Sequence, residues 1–273
     1  MTKSSGTILA GESRPEGRGA GTGPRNQRRI PWPAIAVAAL LLSPAASAIA
    51  APVDFTGVWA RFPDPYGDSR FPDDPPPPGG EPHLREPYAT AFKKYWKSKE
   101  AADEAGKPLI DASTQCLPEG MPTIMGAVYN IQLLQTPGEL VVLAEFLTQT
   151  RRIFLDEKMP PLAAITPSYN GYSVGHWEGD TLIVRTIGVR EDVRFFNMPH
   201  TRNMVITERL RLSAPDRLED RVKIEDPTIF LTPYEFTYGY KKDPTYKIIE
   251  YICDDNRSVA RPDGSYGIKI TPN

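Results

Sequence analysis

The chain has only two cysteines and three histidines among 273 residues. So few ligand side chains exclude a zinc ribbon, an iron–sulfur protein and a disulfide-dense miniprotein. The apolar stretch Ile35 to Leu42 is too short to span a bilayer, which takes about 20 residues. No phosphate loop, dinucleotide glycine motif, haem-attachment motif or internal repeat occurs. A formal charge of -2 gives no electrostatic reason to expect nucleic acid as a partner. What is abundant is proline, 29 residues and about twice the usual share, which argues against long helices. With 40% hydrophobic and 24% charged residues the chain is ordinary globular material, long enough for one large domain or two small ones.

Residues 1–51 read as a disordered leader and signal peptide. A Gly-, Ser- and Arg-rich start leads into the apolar run, which closes on Ser43-Pro44-Ala45-Ala46-Ser47-Ala48-Ile49-Ala50-Ala51. A basic region, a short apolar stretch and small residues in A-x-A spacing are the features of a secretory signal, with cleavage after Ala48, Ala50 or Ala51. Arg28-Arg29 either marks twin-arginine export or is ordinary leader charge. The leader holds six basic and two acidic residues, so its removal leaves a mature chain near -6. Export implies an oxidising compartment, in which Cys116 and Cys253 are expected to pair; the alternative is two buried free thiols.

The mature chain divides into residues 52–110 and 111–273. The first part holds a strand from Val53 to Ala60, a Pro-rich arm between Pro63 and Pro87, and one helix from Tyr88 to Ala105. On that helix Ala89, Phe92, Tyr95 and Trp96 share a face, and Gly106 stops it. The second part reads as strands joined by short turns: Ala127 to Gln135, Glu139 to Phe146, Thr150 to Leu155, Tyr172 to Glu178, Thr181 to Ile187, Asn203 to Leu212, Arg217 to Glu225, Phe236 to Tyr240 and Tyr246 to Cys253. Pro137-Gly138 and Gly179-Asp180 are turn pairs between them. Strands without intervening helices predict a mainly β fold, an antiparallel meander closed as a barrel or folded as a sandwich.

Alternation along the strands assigns faces. Glu208 sits in the middle of the apolar face Met204, Ile206, Leu210 and Leu212. It must meet a buried Arg, Tyr or His, or else line a cavity, because an unpaired carboxylate in a core is costly. His176 shares a face with Tyr172, Val174 and Glu178, and a His–carboxylate pair can tune an imidazole for proton transfer; the alternative is a polar strand end. Gly171-Tyr172-Ser173-Val174-Gly175 matches G-x-S-x-G, but it runs into a hairpin rather than the strand-to-helix turn a serine nucleophile needs. His176, Glu178 and His200 with Glu208 or Asp226 are the residues a metal site would draw on, though only His-x-Glu is tightly spaced; no metal or other cofactor is expected. Twelve Tyr, ten Phe and four Trp serve strand packing, and they would also suit a small aromatic ligand.

Several segments occur in order along the chain: Cys116-Leu-Pro-Glu-Gly-Met-Pro122, Arg152-Ile-Phe-Leu-Asp156, Gly175-His-Trp-Glu-Gly-Asp-Thr-Leu-Ile-Val184, Glu208-Arg209 and Asp226-Pro227. Together they resemble a group of exported bacterial proteins of largely unassigned function. The resemblance covers roughly Val53 to Cys253 and implies a lipocalin-like β-barrel; it transfers no activity. The functional expectation is a pocket for a small, partly apolar or aromatic molecule in an exported protein. Either the pocket does acid–base chemistry as a lyase, isomerase or hydrolase, or it carries its ligand unchanged; an envelope assembly factor is the third class. In the enzymatic case His176 and Glu208 carry protons, with Arg152, Tyr172, Glu178, His200 and Arg209 around the substrate. The expected partner is a small-molecule ligand, without nucleic acid or stable membrane insertion.

Overall fold

Alternating apolar side chains give nine strands that each have one face to bury, and a sheet closed on itself buries them all. The computed structural model describes residues 53–64, 77–107, 109–110, 112, 115–126, 129–253, 258–260 and 266–268. The leader and most of the Pro-rich arm lie outside the described residues. In chain order the elements are β1 (Gly57–Arg61), α1 (Tyr88–Glu104), α2 (Thr123–Gly126), β2 (Ile131–Thr136), β3 (Glu139–Ala144), β4 (Gln149–Leu155), β5 (Tyr172–Glu178), β6 (Thr181–Ile187), β7 (Val205–Ala214), β8 (Arg217–Glu225) and β9 (Tyr234–Lys242). These nine strands form one closed barrel, each paired with the next and β9 with β1 through Trp59↔Lys242 and Arg61↔Tyr240. A separate pair, β10 (Ser258–Ala260) and β11 (Tyr266–Ile268), follows.

The mainly β barrel agrees with the fold expected from the sequence, with two departures. β4 and β5 pair in parallel, Ile153 opposite Ser173, so the barrel is not a pure meander. A parallel neighbour needs a crossover of about a dozen residues or more, and residues 156–171 supply it. A second departure concerns Tyr246 to Cys253, read as the last strand but without regular structure here. With β9 hydrogen-bonded to both β8 and β1, no free edge remains for another strand. Instead the segment lies along the outside, held by Tyr246 donating to Glu145 (2.8 Å), by Thr148 donating to the Tyr251 carbonyl (2.9 Å) and by the Cys116–Cys253 disulfide (Cα–Cα 5.6 Å).

Each end of the barrel is closed by its own apolar groups. At one end Phe55 is fully buried against Trp177, with ring centroids 5.4 Å apart, and accepts the Trp59 indole N–H on its carbonyl. At the other, the segment from Gly120 to Gly126 enters as a plug bearing Met121, Ile124 and Met125, all buried. Its backbone is tied down by Met121 N–H to the Tyr169 carbonyl (3.0 Å) and by the Tyr240 hydroxyl to the Met125 carbonyl (2.7 Å). Gly126 packs so closely that a Cβ there would stand 2.3 Å from the Tyr238 hydroxyl. Substituting Gly126 by Ala should therefore displace the plug and lower the melting temperature. An unchanged melting temperature would show that the plug does not rest on Tyr238.

Candidate functional site

Between the two apolar ends the barrel interior carries a band of polar groups, all essentially inaccessible: Arg151 on β4, Ser173 on β5, Thr186 on β6, Glu208 on β7 and Asp220 on β8. Arg151 grips Glu208 with both ends of its guanidinium, Nη1 to Oε1 at 2.8 Å and Nη2 to Oε2 at 2.5 Å. Nη2 also donates to Thr186 (3.0 Å), whose hydroxyl lies 2.8 Å from that of Ser173. The inward face predicted for Glu208 is thus correct, and its partner is a buried arginine. Ser173, the central residue of the G-x-S-x-G match, is bound into this network on a straight strand, with Gly175 leaving room for Ile153, Leu155 and Leu182.

Asp220 shares the interior without a hydrogen-bond donor to either oxygen among the described residues. Burial, and then the neighbouring Glu208 carboxylate, push its pKa well above the ordinary carboxylate range, against the pull of Arg151 and Arg61. As the neutral acid it can donate to Glu208. A raised folded pKa means that the folded chain keeps this proton longer than the unfolded one does. This group's contribution to stability is therefore complete below about pH 4 and is lost as pH rises through the folded pKa. Asp220→Asn keeps the shape and a donor and removes the titration. Its stability should match the parent's at pH 4 and exceed it at pH 8 in denaturant melts; parallel pH profiles for the two would contradict this.

The structure does not bring His176 and Glu208 together. His176 lies on the outer surface of the barrel, its Nε2 3.3 Å from Glu178 Oε1, and Arg209 Nη1 is 3.4 Å from the other Glu178 oxygen. All three side chains are more than half exposed. The hydrogen bond from His176 holds the Glu178 pKa below its usual value, with help from Arg209. Arg152 is also outside, paired with Glu139. Tyr172 stacks on Phe154 (5.1 Å) and donates to Glu157 (3.3 Å) at the surface. His176 and Glu178 face outward, Glu208 inward and His200 toward the barrel mouth. Among the described residues no three His, Cys, Asp or Glu side chains converge on a metal position.

His200 occupies the setting that ligand recognition asks for. The β6–β7 connection folds over the plugged end of the barrel, where Phe195 stacks on Phe236 (5.1 Å) and Met198 and Met204 are buried. Phe195, Met198 and Met204, with Met121, Ile224 and Phe230, line a mostly apolar pocket that contains His200. The space between atoms, its open side included, is about 260 Å³, with room for about one water. The imidazole is 8% exposed. Its Nδ1 lies 3.0 Å from the Thr201 carbonyl, a contact that requires Nδ1–H, while Nε2 is buried with no partner among the described residues. Burial, first of all, lowers the His200 pKa and the nearby Arg194 adds to it, while the Thr201 and Val193 backbone carbonyls and Asp226 oppose. The imidazole is therefore neutral at neutral pH, with the Nε2 lone pair free. Asp226 fixes the loop by accepting the Thr201 N–H (2.6 Å) and the Thr228 N–H (3.1 Å). A larger cleft, about 620 Å³ with its open side included, is lined by Pro167, Val189, Arg190, Glu191, Asp192 and Arg202, whose charged groups pair internally as Arg190–Asp192 and Arg202–Glu191.

Sequence reasoning passed over Arg151 and Asp220. For Asp220 the signal was available: Leu218, Asp220, Val222 and Ile224 repeat the pattern that marked Glu208. For Arg151 it was ambiguous, since Phe154 on the opposite face looks as apolar as Ile153 and Leu155.

No protein-family model matches the chain. No curated protein matches it either. Among solved structures it is similar to two mutants of the fluorescent protein UnaG. One shows 15% identity and a TM-score of 0.26 over 42% of this chain and 70% of that one; the other shows 14% and 0.24 over 41% and 70%. A likeness this slight carries no functional argument.

Proposed function

We propose that the protein binds a small, partly aromatic molecule bearing an O–H or N–H donor at the mouth of the barrel, with His200 Nε2 as the acceptor. The observation that carries this is the buried, unpartnered lone pair in an apolar pocket. A buried acceptor left unmade costs about 1–3 kcal/mol, which a ligand donor would recover. Met121, Met198 and Met204 suit an adaptable pocket, since thioethers repack readily and favour aromatic faces. A ligand larger than water enters by moving them. The same lone pair would serve as a general base, so acid–base conversion of the lyase, isomerase or hydrolase kind is the catalytic form of this reading, with His200 as the proton acceptor. A proton-carrying role for His176 would require a substrate bound on the outside of the barrel, and one for Glu208 a substrate reaching the interior. Export through the leader completes the proposal, and the Cys116–Cys253 bridge is compatible with it. N-terminal sequencing of exported protein should start between Ile49 and Pro52; a start before about Ala45 would contradict cleavage.

The binding test compares phenol with toluene, which has nearly the same shape and no donor. Phenol should bind about tenfold more tightly at pH 7, the worth of one good hydrogen bond at about 1.4 kcal/mol, and His200→Phe should abolish the preference. Equal affinity in the parent protein would remove His200 from recognition. Acidification through the His200 pKa should weaken phenol binding, because protonated Nε2 no longer accepts.

A further inference from the structure

Beyond the leader the chain has five methionines, and three of them, Met121, Met198 and Met204, line the His200 pocket. Six methionines in 273 residues would put fewer than one in a lining of ten. Met198, His200 and Met204 come from the β6–β7 connection and Met121 from the plug, and all three methionines are buried. The other lining side chains are proline, valine, isoleucine and phenylalanine, which carry no donor atom. The side-chain donors of the pocket are therefore one imidazole nitrogen and three thioether sulfurs. His200 Nε2 is inaccessible and has no partner among the described residues, while Nδ1–H is fixed on the Thr201 carbonyl at 3.0 Å. A carbonyl that holds one imidazole nitrogen as a donor and aims the other is the support a metal-ligating histidine has. The connection itself is anchored, with the Met198 N–H donating to the Phe195 carbonyl (2.9 Å) and the Thr201 N–H to Asp226 (2.6 Å). Cys116 and Cys253 are bonded to each other, so neither offers a competing thiolate.

We propose that this pocket binds a soft monovalent metal ion, Cu(I), through His200 Nε2 and the thioethers of Met121, Met198 and Met204. Thioether sulfur with imidazole selects Cu(I), whereas zinc, calcium and magnesium are held with thiolate or carboxylate donors. No thiolate or carboxylate lines the pocket. Charge argues the same way. The cost of desolvating an ion rises with the square of its charge, and neutral donors do not offset it for a divalent ion. The charged groups that act on His200 oppose each other, Asp226 favouring a cation and Arg194 disfavouring it. The free space, room for about one water, fits a bare ion and not a hydrated one. This inference rests on the same bare Nε2 lone pair as the organic-ligand reading, and the two ligands exclude each other.

The test titrates the full chain with Cu(I), kept reduced by ascorbate under argon, against bathocuproine disulfonate as the competing chelator. A single ion per chain with submicromolar or tighter affinity is expected, and phenol should compete with it. His200→Phe should weaken binding at least about tenfold. The pair Met198→Leu with Met204→Leu keeps the volume and removes two sulfurs, so it should weaken binding to a similar extent with little change in melting temperature. His176→Asn, on the outer surface, should bind like the parent. In the unsubstituted protein, redox-inert Ag(I) should shift the ¹³C methyl resonances of at least two of Met121, Met198 and Met204 and leave those of Met125 and Met159 in place. No Cu(I) binding, parent affinity in His200→Phe, tighter binding of Zn(II) than of Cu(I), or shifts confined to Met125 and Met159 would each overturn the proposal; a phenol preference over toluene would then still stand by itself. Cu(I) binding that needs His200, in a protein indifferent to phenol, would sustain the metal site and remove only the organic-ligand reading.

Discussion

Replacing Arg151 by Met should destabilise the protein by about 3–5 kcal/mol, because it strands the inaccessible Glu208 carboxylate without its partner in the middle of the barrel. Three partners depend on this guanidinium: Glu208, Thr186 and Ser173. Glu208→Gln should cost less, since the Asp220 carboxyl, no longer facing a second carboxylate, can ionise and compensate Arg151. The double change Arg151→Met with Glu208→Leu should recover most of the loss. Removing both charges together avoids desolvating either, and buried pairs replaced by packed apolar groups are often neutral or better. Urea melts of the three variants decide it. A double variant no more stable than the singles would mean that the pair contributes through its geometry rather than by mutual compensation.

The second large effect concerns Cys116 and Cys253, which are 137 residues apart and enclose β2 to β9 within one covalent loop. Closing so long a loop in the unfolded chain is worth up to about 5 kcal/mol in the chain-entropy model. The measured value should be smaller, because the bridge also orders residues 244–253, otherwise held through Tyr246 and Tyr251. Changing both cysteines to Ala should lower stability and, in addition, speed trypsin cleavage at the already exposed Lys247 by freeing its backbone, while the barrel stays intact. Slow cleavage at Lys247 in that variant would show that Tyr246 and Tyr251 hold the segment without the bridge.

Much of the fold was legible in the chain because strand faces alternate with a period of two. The β5–β6 hairpin lies where its residues placed it, from Tyr172 to Ile187 around Gly179-Asp180, since a two-residue turn fixes the register locally. The inward direction of Glu208 followed from the same rule. What local pattern does not carry is closure. Tyr246 to Cys253 has strand-like residues but no edge to join, and the parallel β4–β5 pair depends on where a sixteen-residue connection returns. At the site the limits were similar. Arg151 and Arg152 differ by one position, and that decides which of them is buried with Glu208 and which is on the surface with Glu139. His200 lies in a loop, where no periodicity predicts burial; its environment is assembled from the plug, the β6–β7 connection and the end of β8.

The most direct measurement is the ¹⁵N resonance of His200 Nε2 during a titration with phenol at pH 7. The unliganded protein should show Nδ1 protonated and Nε2 bare, and phenol should shift Nε2 toward a hydrogen-bonded value while toluene leaves it in place. A protonated Nε2 in the free protein, or a resonance that phenol does not move at saturation, would contradict the assignment of His200 as the ligand acceptor.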